Sequence, residues 1–98
     1  MGNVELGTVI AERVLQSPKL TQPVRVRIGC PQKTASGDFI TPYQIDGAGD
    51  EKVRFAAGLD SVQSLQLVFQ MLGADIRYGL KEYQLRWADG GDPGFPAP

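Results

Sequence analysis

The run from Asp60 to Tyr78, DSVQSLQLVFQMLGADIRY, is the one segment of this sequence with sustained helical periodicity, and everything else must build a surface for it. Val62, Leu65, Phe69, Leu72 and Ile76 recur at spacings of three and four, which lines them along one face of an α-helix and demands an apolar partner, expected to be a sheet. Asp60 followed by Gln63 is a capping-box pattern, the carboxylate accepting amide protons of the first turn while the Gln side chain reaches back, so the helix is expected to start at Ser61. Gly73 lies beside the stripe and marks a place where the backbone approaches the sheet closely; Gly79 is expected to end the helix. A second apolar stripe, Leu67, Met71, Ala74 and Tyr78, falls almost opposite the first. Gln63, Gln66, Gln70 and Arg77 separate the two on one side, and Ser61, Ser64 and Asp75 on the other. No charged residue occurs between Ser61 and Ala74, so the second stripe is expected to be covered as well.

The remaining residues read as strands. Thr8 to Leu15 is β-branched, with Ile10 and Val14 flanking Glu12, and Val9, Ala11 and Leu15 flanking Arg13, so either face carries a charge. Val24 to Cys30 alternates cleanly, with Val24, Val26, Ile28 and Cys30 inward and Arg25 and Arg27 outward. The stretch QKTASGD after Pro31 reads as a turn. Phe39, Thr41, Tyr43 and Ile45 then share one face of a third strand, in which Pro42 removes a ladder donor and so predicts an edge position or a bulge. An acidic Gly-rich turn, Asp46 to Glu51, leads into a fourth strand over Lys52 to Leu59. Beyond the helix, Glu82 to Ala88 predicts a short fifth strand, with Tyr83, Leu85 and Trp87 on one side. Residues 89–98 have the composition of an irregular tail, but Phe95 within it has no reason to stay in solvent, so the tail is expected to dock on a single domain spanning residues 1–98.

Ninety-eight residues suffice for one domain with its own core, and the net charge of −1 provides no electrostatic footprint for nucleic acid. The single Cys excludes an internal disulfide, and neither a signal-peptide pattern nor a membrane-length apolar run is present in the sequence, so a cytoplasmic location is expected.

The absence of His removes the commonest general base and the commonest transition-metal ligand together. Cys30, on the apolar face of its strand, reads as a buried and inert thiol. Asp46, Asp50 and Glu51 share a Gly-rich turn without the ligand spacing of a calcium loop, and read as solvated turn residues. The glycines of the same turn lack the ending of a phosphate-binding loop and precede a strand. Arg13, Arg25 and Arg27 on a sheet face suggest RNA binding less readily than cross-strand pairing with Glu12, and no RNA-binding motif accompanies them. Metal ligands, cofactor sites and catalytic residues are therefore not assigned.

Several stretches together resemble a family of small bacterial proteins of unknown function: Ile10-Ala-Glu-Arg13 with Leu15, Val24-Arg-Val-Arg-Ile-Gly29 with Pro31, Tyr43-Gln-Ile-Asp-Gly47 with Gly49, Asp60-Ser-Val-Gln63 with Leu65, Leu72-Gly-Ala-Asp75, and Gly94-Phe-Pro96. They span nearly the whole chain. The resemblance implies an intact stand-alone domain that includes the tail, and carries no activity, substrate or catalytic residue onto these positions.

The sum of these readings is an α+β fold: an antiparallel sheet of four to five strands in order 5-1-2-3-4, with one long helix across one face. Its poor chemical inventory and surplus of apolar surface point to a non-enzymatic interaction module of a bacterial cytoplasm, an adaptor or immunity-type protein. Leu67, Met71 and Tyr78 are the expected contact surface for a protein partner or for a second copy in a homodimer, unless the tail covers them. A small-ligand-binding domain using the space between helix and sheet is the alternative. So is an enzyme built on a carboxylate pair, Asp46 with Glu51 or Asp89 with Asp92.

Overall fold

Alternation between apolar and charged residues builds the sheet. In the computed structural model, which describes residues 4–87 and 89–96, the strands are β1 (Val9–Leu15), β2 (Val24–Gly29), β3 (Gln32–Lys33), β4 (Phe39–Asp46) and β5 (Arg54–Gly58). Helix α1 (Ser61–Ala74) continues through a π-helical turn, Asp75–Gly79, and a 3₁₀ turn, Lys81–Tyr83. All strand pairs are antiparallel, so the fold is α+β, an open five-stranded sheet with one long helix. No helix among the described residues is long and apolar enough to cross a membrane.

β4 lies inside the sheet rather than at its edge. Its first half pairs with β3 and β5, and its second half begins where β2 takes over from β3, so β2 and β3 are two pieces of one broken strand on the same side of β4. Between the Ile28–Tyr43 and Gln32–Ile40 pairs that ladder is interrupted, and Pro42 sits in the interruption, where its missing N–H leaves no gap in the hydrogen bonding. The stretch read as a turn thus supplies the short β3. The strand expected over Glu82 to Ala88 does not form. Gln84 takes a left-handed conformation (φ 54°), which breaks an extended run, and one antiparallel bridge, Gln16 with Arg86, remains beside the end of β1. Ala88, the last residue of that expected strand, and the tail's final two residues lie outside the described part.

Cys30 is exposed, contrary to the sequence expectation. Opposite it, the β1 register slips between Val9, paired with Gly29, and Ala11, paired with Ile28, and this bulge breaks the alternation. Ile28 and Gly29 are buried in succession, β2 ends, and Cys30 points away from the core while its N–H donates to the Thr8 carbonyl at 2.9 Å.

The helix begins as expected. The Asp60 carboxylate accepts from the Gln63 N–H at 2.8 Å, and the Gln63 side chain accepts from the Leu59 N–H at 2.7 Å. Its buried face, however, is not the stripe of Val62, Leu65, Phe69, Leu72 and Ile76 but a face rotated from it: Ser64, Val68, Leu72 and Ile76 are buried, whereas Val62 is 60% exposed. The polar edge that sequence reading treats as a separator faces the sheet because its polar atoms have partners there. Ser64 and Thr41 share a fully buried hydroxyl–hydroxyl hydrogen bond of 2.6 Å, and the Tyr43 hydroxyl donates to Asp75 at 2.9 Å. Gly58 of β5 permits this seating, since a Cβ there would stand 2.5 Å from the Ser64 nitrogen.

α1 lies on β4 and β5, and the C-terminal segment covers the inner face of β1 and β2. Phe95 is buried beside Ala11, Val26, Ile28 and Phe69, and Leu85 joins the same core. The Arg13 guanidinium sits 4.3 Å from the Trp87 ring centre and 4.8 Å from that of Phe95, and donates to the Pro93 carbonyl at 3.0 Å. From the helix side, Arg77 donates to the Phe95 carbonyl at 2.9 Å and pairs with Asp92 at 3.5 Å. Gly73 is a point of close approach, but to the tail and not to the sheet: a Cβ at Gly73 would run into the Pro96 carbonyl.

Two consequences are measurable by urea denaturation. Phe95→Ala should lower stability by about 3 kcal/mol, the usual cost of emptying a buried aromatic site. Gly73→Ala should destabilise the full chain by about 1 kcal/mol or more, because overlap with the tail outweighs the gain in helix propensity. In a chain ending before Gly94 the same substitution should be stabilising by up to about 1 kcal/mol. The same sign in both backgrounds would show that the tail does not rest on Gly73.

Candidate functional site

β4 and β5 place Tyr43 and Arg54 directly opposite each other, so both side chains emerge on the helix face of the sheet. The sheet and the π-helical turn enclose a cleft of about 210 Å³ there, lined by Tyr43, Ile45, Asp50, Lys52, Arg54, Asp75, Gly79 and Leu80. The wide turn that closes with the Leu80 N–H donating to the Asp75 carbonyl at 2.8 Å forms one wall. The other is the segment Asp50–Arg54, where Asp50 accepts from the Lys52 N–H at 2.9 Å and from the Arg54 guanidinium at 3.3 Å.

The electrostatics hold two of the cleft's groups, Tyr43 and Asp50, each in one state. Burial, reinforced by the hydrogen bond to the Asp75 carboxylate, pushes the Tyr43 phenol well above its ordinary value, and nearby Arg54 offsets only part of this. The Lys52 amide, then Arg54, hold the Asp50 carboxyl below the usual carboxylate range. At neutral pH the cleft therefore presents a protonated phenol and an ionised Asp50, neither poised to exchange a proton.

The residues singled out in the sequence lie elsewhere. Leu67 is half-buried at the margin of the core, Met71 is at the surface and Tyr78 is 67% exposed. The tail reaches the Gly73 flank of the helix, and Pro96 adjoins Leu67 in a shallow groove with Gln63, Gln66, Phe69 and Gln70, leaving Met71 and Tyr78 outside it. The expected carboxylate pairs are not brought into a cleft. Asp46 pairs with Arg27 on the outer face at 3.1 Å, and Glu51 accepts from the Gly47 N–H within its own loop. Asp89 accepts from the Gly91 N–H and Asp92 from the Gly94 N–H, as turn residues do. Arg25 and Arg27 bind Glu12 at 3.3 and 3.0 Å, whereas Arg13 lies on the opposite face, so the three arginines form no common patch. Glu12 foremost, with Asp46, holds Arg27 more firmly in its charged form.

Sequence reading missed the cleft, although a signal was present. Tyr43 follows Thr41 on the inward face of its strand, and Asp75 lies on the same helix edge as Ser61 and Ser64. Two inward hydroxyls require buried partners, and that edge supplies them.

The Tyr43 proton predicts a pH dependence. The native state keeps it above about pH 10, where an unfolded tyrosine loses it, so the native state binds more protons and stability falls as pH rises through that range. Tyr43→Phe should be less stable than the parent by about 1 kcal/mol at neutral pH. The gap should narrow above about pH 10, because the variant lacks the proton-linked loss. Denaturation curves from pH 7 to 11 check this, and a gap that stays constant would count against a Tyr43 phenol held protonated by burial and Asp75.

No curated protein and no solved structure matches the chain. A family match spans residues 11–97, from the middle of β1 through the docked tail, and the chain therefore belongs to the family described as a domain of unknown function (DUF6968).

Proposed function

We infer that the protein is a non-enzymatic binding module and that the cleft between β4, β5 and the π-helical turn receives a small ligand. The observation that carries this reading is the cleft's combination of charged and apolar walls, with Lys52, Arg54 and Asp75 beside Ile45 and Leu80, at a place where a two-layer domain would otherwise close its core. Binding rather than turnover is favoured because Tyr43 and Asp50 are each held far from the pKa a proton-transfer group needs. An exposed, unpaired Cys30 suits a reducing compartment such as a bacterial cytoplasm.

A fragment screen by heteronuclear NMR on the full chain tests the reading. Binding fragments should shift the amide signals of Ile45, Lys52, Arg54, Asp75 and Leu80, and Leu80→Trp, which fills the cleft, should abolish the shifts while the spectrum stays folded. Fragments that perturb only other surfaces, or none that bind, would overturn it.

A second reading, association through the helix, rests on Met71 and Tyr78, which the docked tail leaves exposed at the margin marked by Leu67. Two copies could bring these stripes together about a twofold axis. Sedimentation of the wild type should then show a dimer, and Met71→Glu a folded monomer; a wild type that is monomeric at high concentration excludes the dimer.

A further inference from the structure

The unused hydrogen-bonding capacity of the cleft is divided by sign. Asp75 gives one carboxylate oxygen, Oδ2, to the Tyr43 hydroxyl, and among the described residues Oδ1 has no partner. On the strand side, the Lys52 ammonium makes no side-chain hydrogen bond or ion pair among the described residues, and Arg54 commits a single nitrogen, Nη2, to Asp50. Each oxygen of Asp50 already accepts one hydrogen bond, from the Lys52 amide and from Arg54, whereas Asp75 Oδ1 accepts none among the described residues. Ile45 and Leu80 line the cleft with apolar surface. Its volume is about 210 Å³. That is less than the usual site for a drug-sized molecule, which begins at about 300 Å³.

We propose that the cleft binds a small zwitterion of the amino-acid type, its ammonium on Asp75, its carboxylate on Arg54 and Lys52, and its side chain against Ile45 and Leu80. This rests on the reading of the cleft as a binding site and specifies its ligand class. A simple anion would satisfy Arg54 and Lys52 but would face the Asp75 carboxylate; a simple cation would satisfy Asp75 but meet two positive side chains. Only a molecule carrying both charges removes both mismatches, and the planar fork of Arg54 suits a carboxylate in particular.

The test is titration of the isotopically labelled full chain with leucine, N-acetylleucine, which lacks the ammonium, and leucinamide, which lacks the carboxylate. Leucine should produce saturable shifts at Ile45, Lys52, Arg54, Asp75 and Leu80, and each derivative should bind at least ~10-fold more weakly, the loss of one charge-assisted hydrogen bond. Asp75→Asn keeps an acceptor for the Tyr43 hydroxyl and should weaken leucine by a similar factor while strengthening N-acetylleucine, whose anion then no longer faces a carboxylate. Lys52→Gln should weaken leucine and strengthen leucinamide, whose ammonium then meets one positive side chain fewer. If the derivatives bind as tightly as leucine, or if leucine is inert while singly charged fragments occupy the cleft, the zwitterion proposal fails and the binding site stands. If neither leucine nor any fragment shifts these signals, both readings fall. Should Asp75→Asn unfold, the comparison of the three probes on the wild type decides alone.

Discussion

A helix with its side chains is about 10 Å across and strands in a sheet lie about 4.8 Å apart, so one helix covers about two strands. Here the sheet is four strands wide, counting β2 and β3 as the one broken strand beside β4, and α1, the one long helix among the described residues, lies on β4 and β5. Half of the inner face would stay bare without a second cover. The C-terminal segment is that cover, with Leu85 and Phe95 filling the space over β1 and β2 that a second helix would occupy in a larger domain. An irregular segment has no internal ladder to satisfy its carbonyls, and two arginines do this for it: Arg13 takes that of Pro93 and Arg77 that of Phe95. The same two side chains explain why β1 carries a charge on its inward face and why the helix carries one at position 77. Each is an anchor for the tail, and Arg13 is tolerated inside because Trp87 and Phe95 supply ring faces for its charge.

The second constraint is rotational. A helix lying on a sheet through apolar contacts alone can turn about its axis at modest cost, but α1 is pinned by two polar contacts to alternate residues of β4, Ser64 to Thr41 and Asp75 to Tyr43. Turning toward the more hydrophobic stripe would bury Val62 and Phe69 and leave the Thr41 and Tyr43 hydroxyls without partners. Each buried orphan costs about 1–3 kcal/mol, comparable with the gain from burying one further apolar side chain. The polar pairs hold the helix in a single rotation, and that rotation leaves Val62 in solvent and turns Asp75 toward Arg54 and Lys52.

Local rules recovered the parts of this structure that local forces decide. The Asp60 cap follows from a spacing of three residues, and the burial of Val24, Val26 and Ile28, with Arg25 and Arg27 on the other face, follows from strict alternation. What was not legible depends on partners far away in the chain. Cys30 escapes the core because of a bulge in β1, Pro42 sits inside the sheet because β2 breaks opposite it, and Gly73 serves the tail, more than twenty positions onward. The buried helix face departs from the most apolar stripe for the same reason, since Ser64 and Asp75 look like surface residues until Thr41 and Tyr43 are set beside them. The carboxylates of the Gly-rich turn and the tail are turn and pairing residues, Asp50 included, whereas Asp75 gains its meaning from Tyr43 on the sheet, thirty-two positions away.

These two constraints together account for where the cleft lies. The tail and its arginines cover the inner face over β1 and β2, leaving about 80 Å³ beside Phe95, and the larger opening lies toward β4 and β5, where the regular helix ends. Continuing α1 as an ordinary helix would carry Ile76 and Leu80 along the sheet in α-helical register, with each amide bonded to the carbonyl four residues before it. The π-helical turn instead bonds Leu80 to Asp75, widening the coil so that Leu80 comes to line the cleft while Asp75 keeps its bond to Tyr43. Such turns are rare inside α-helices, and here the wider coil lets Asp75 stay on Tyr43 while Leu80 faces Ile45 and Lys52 across the opening.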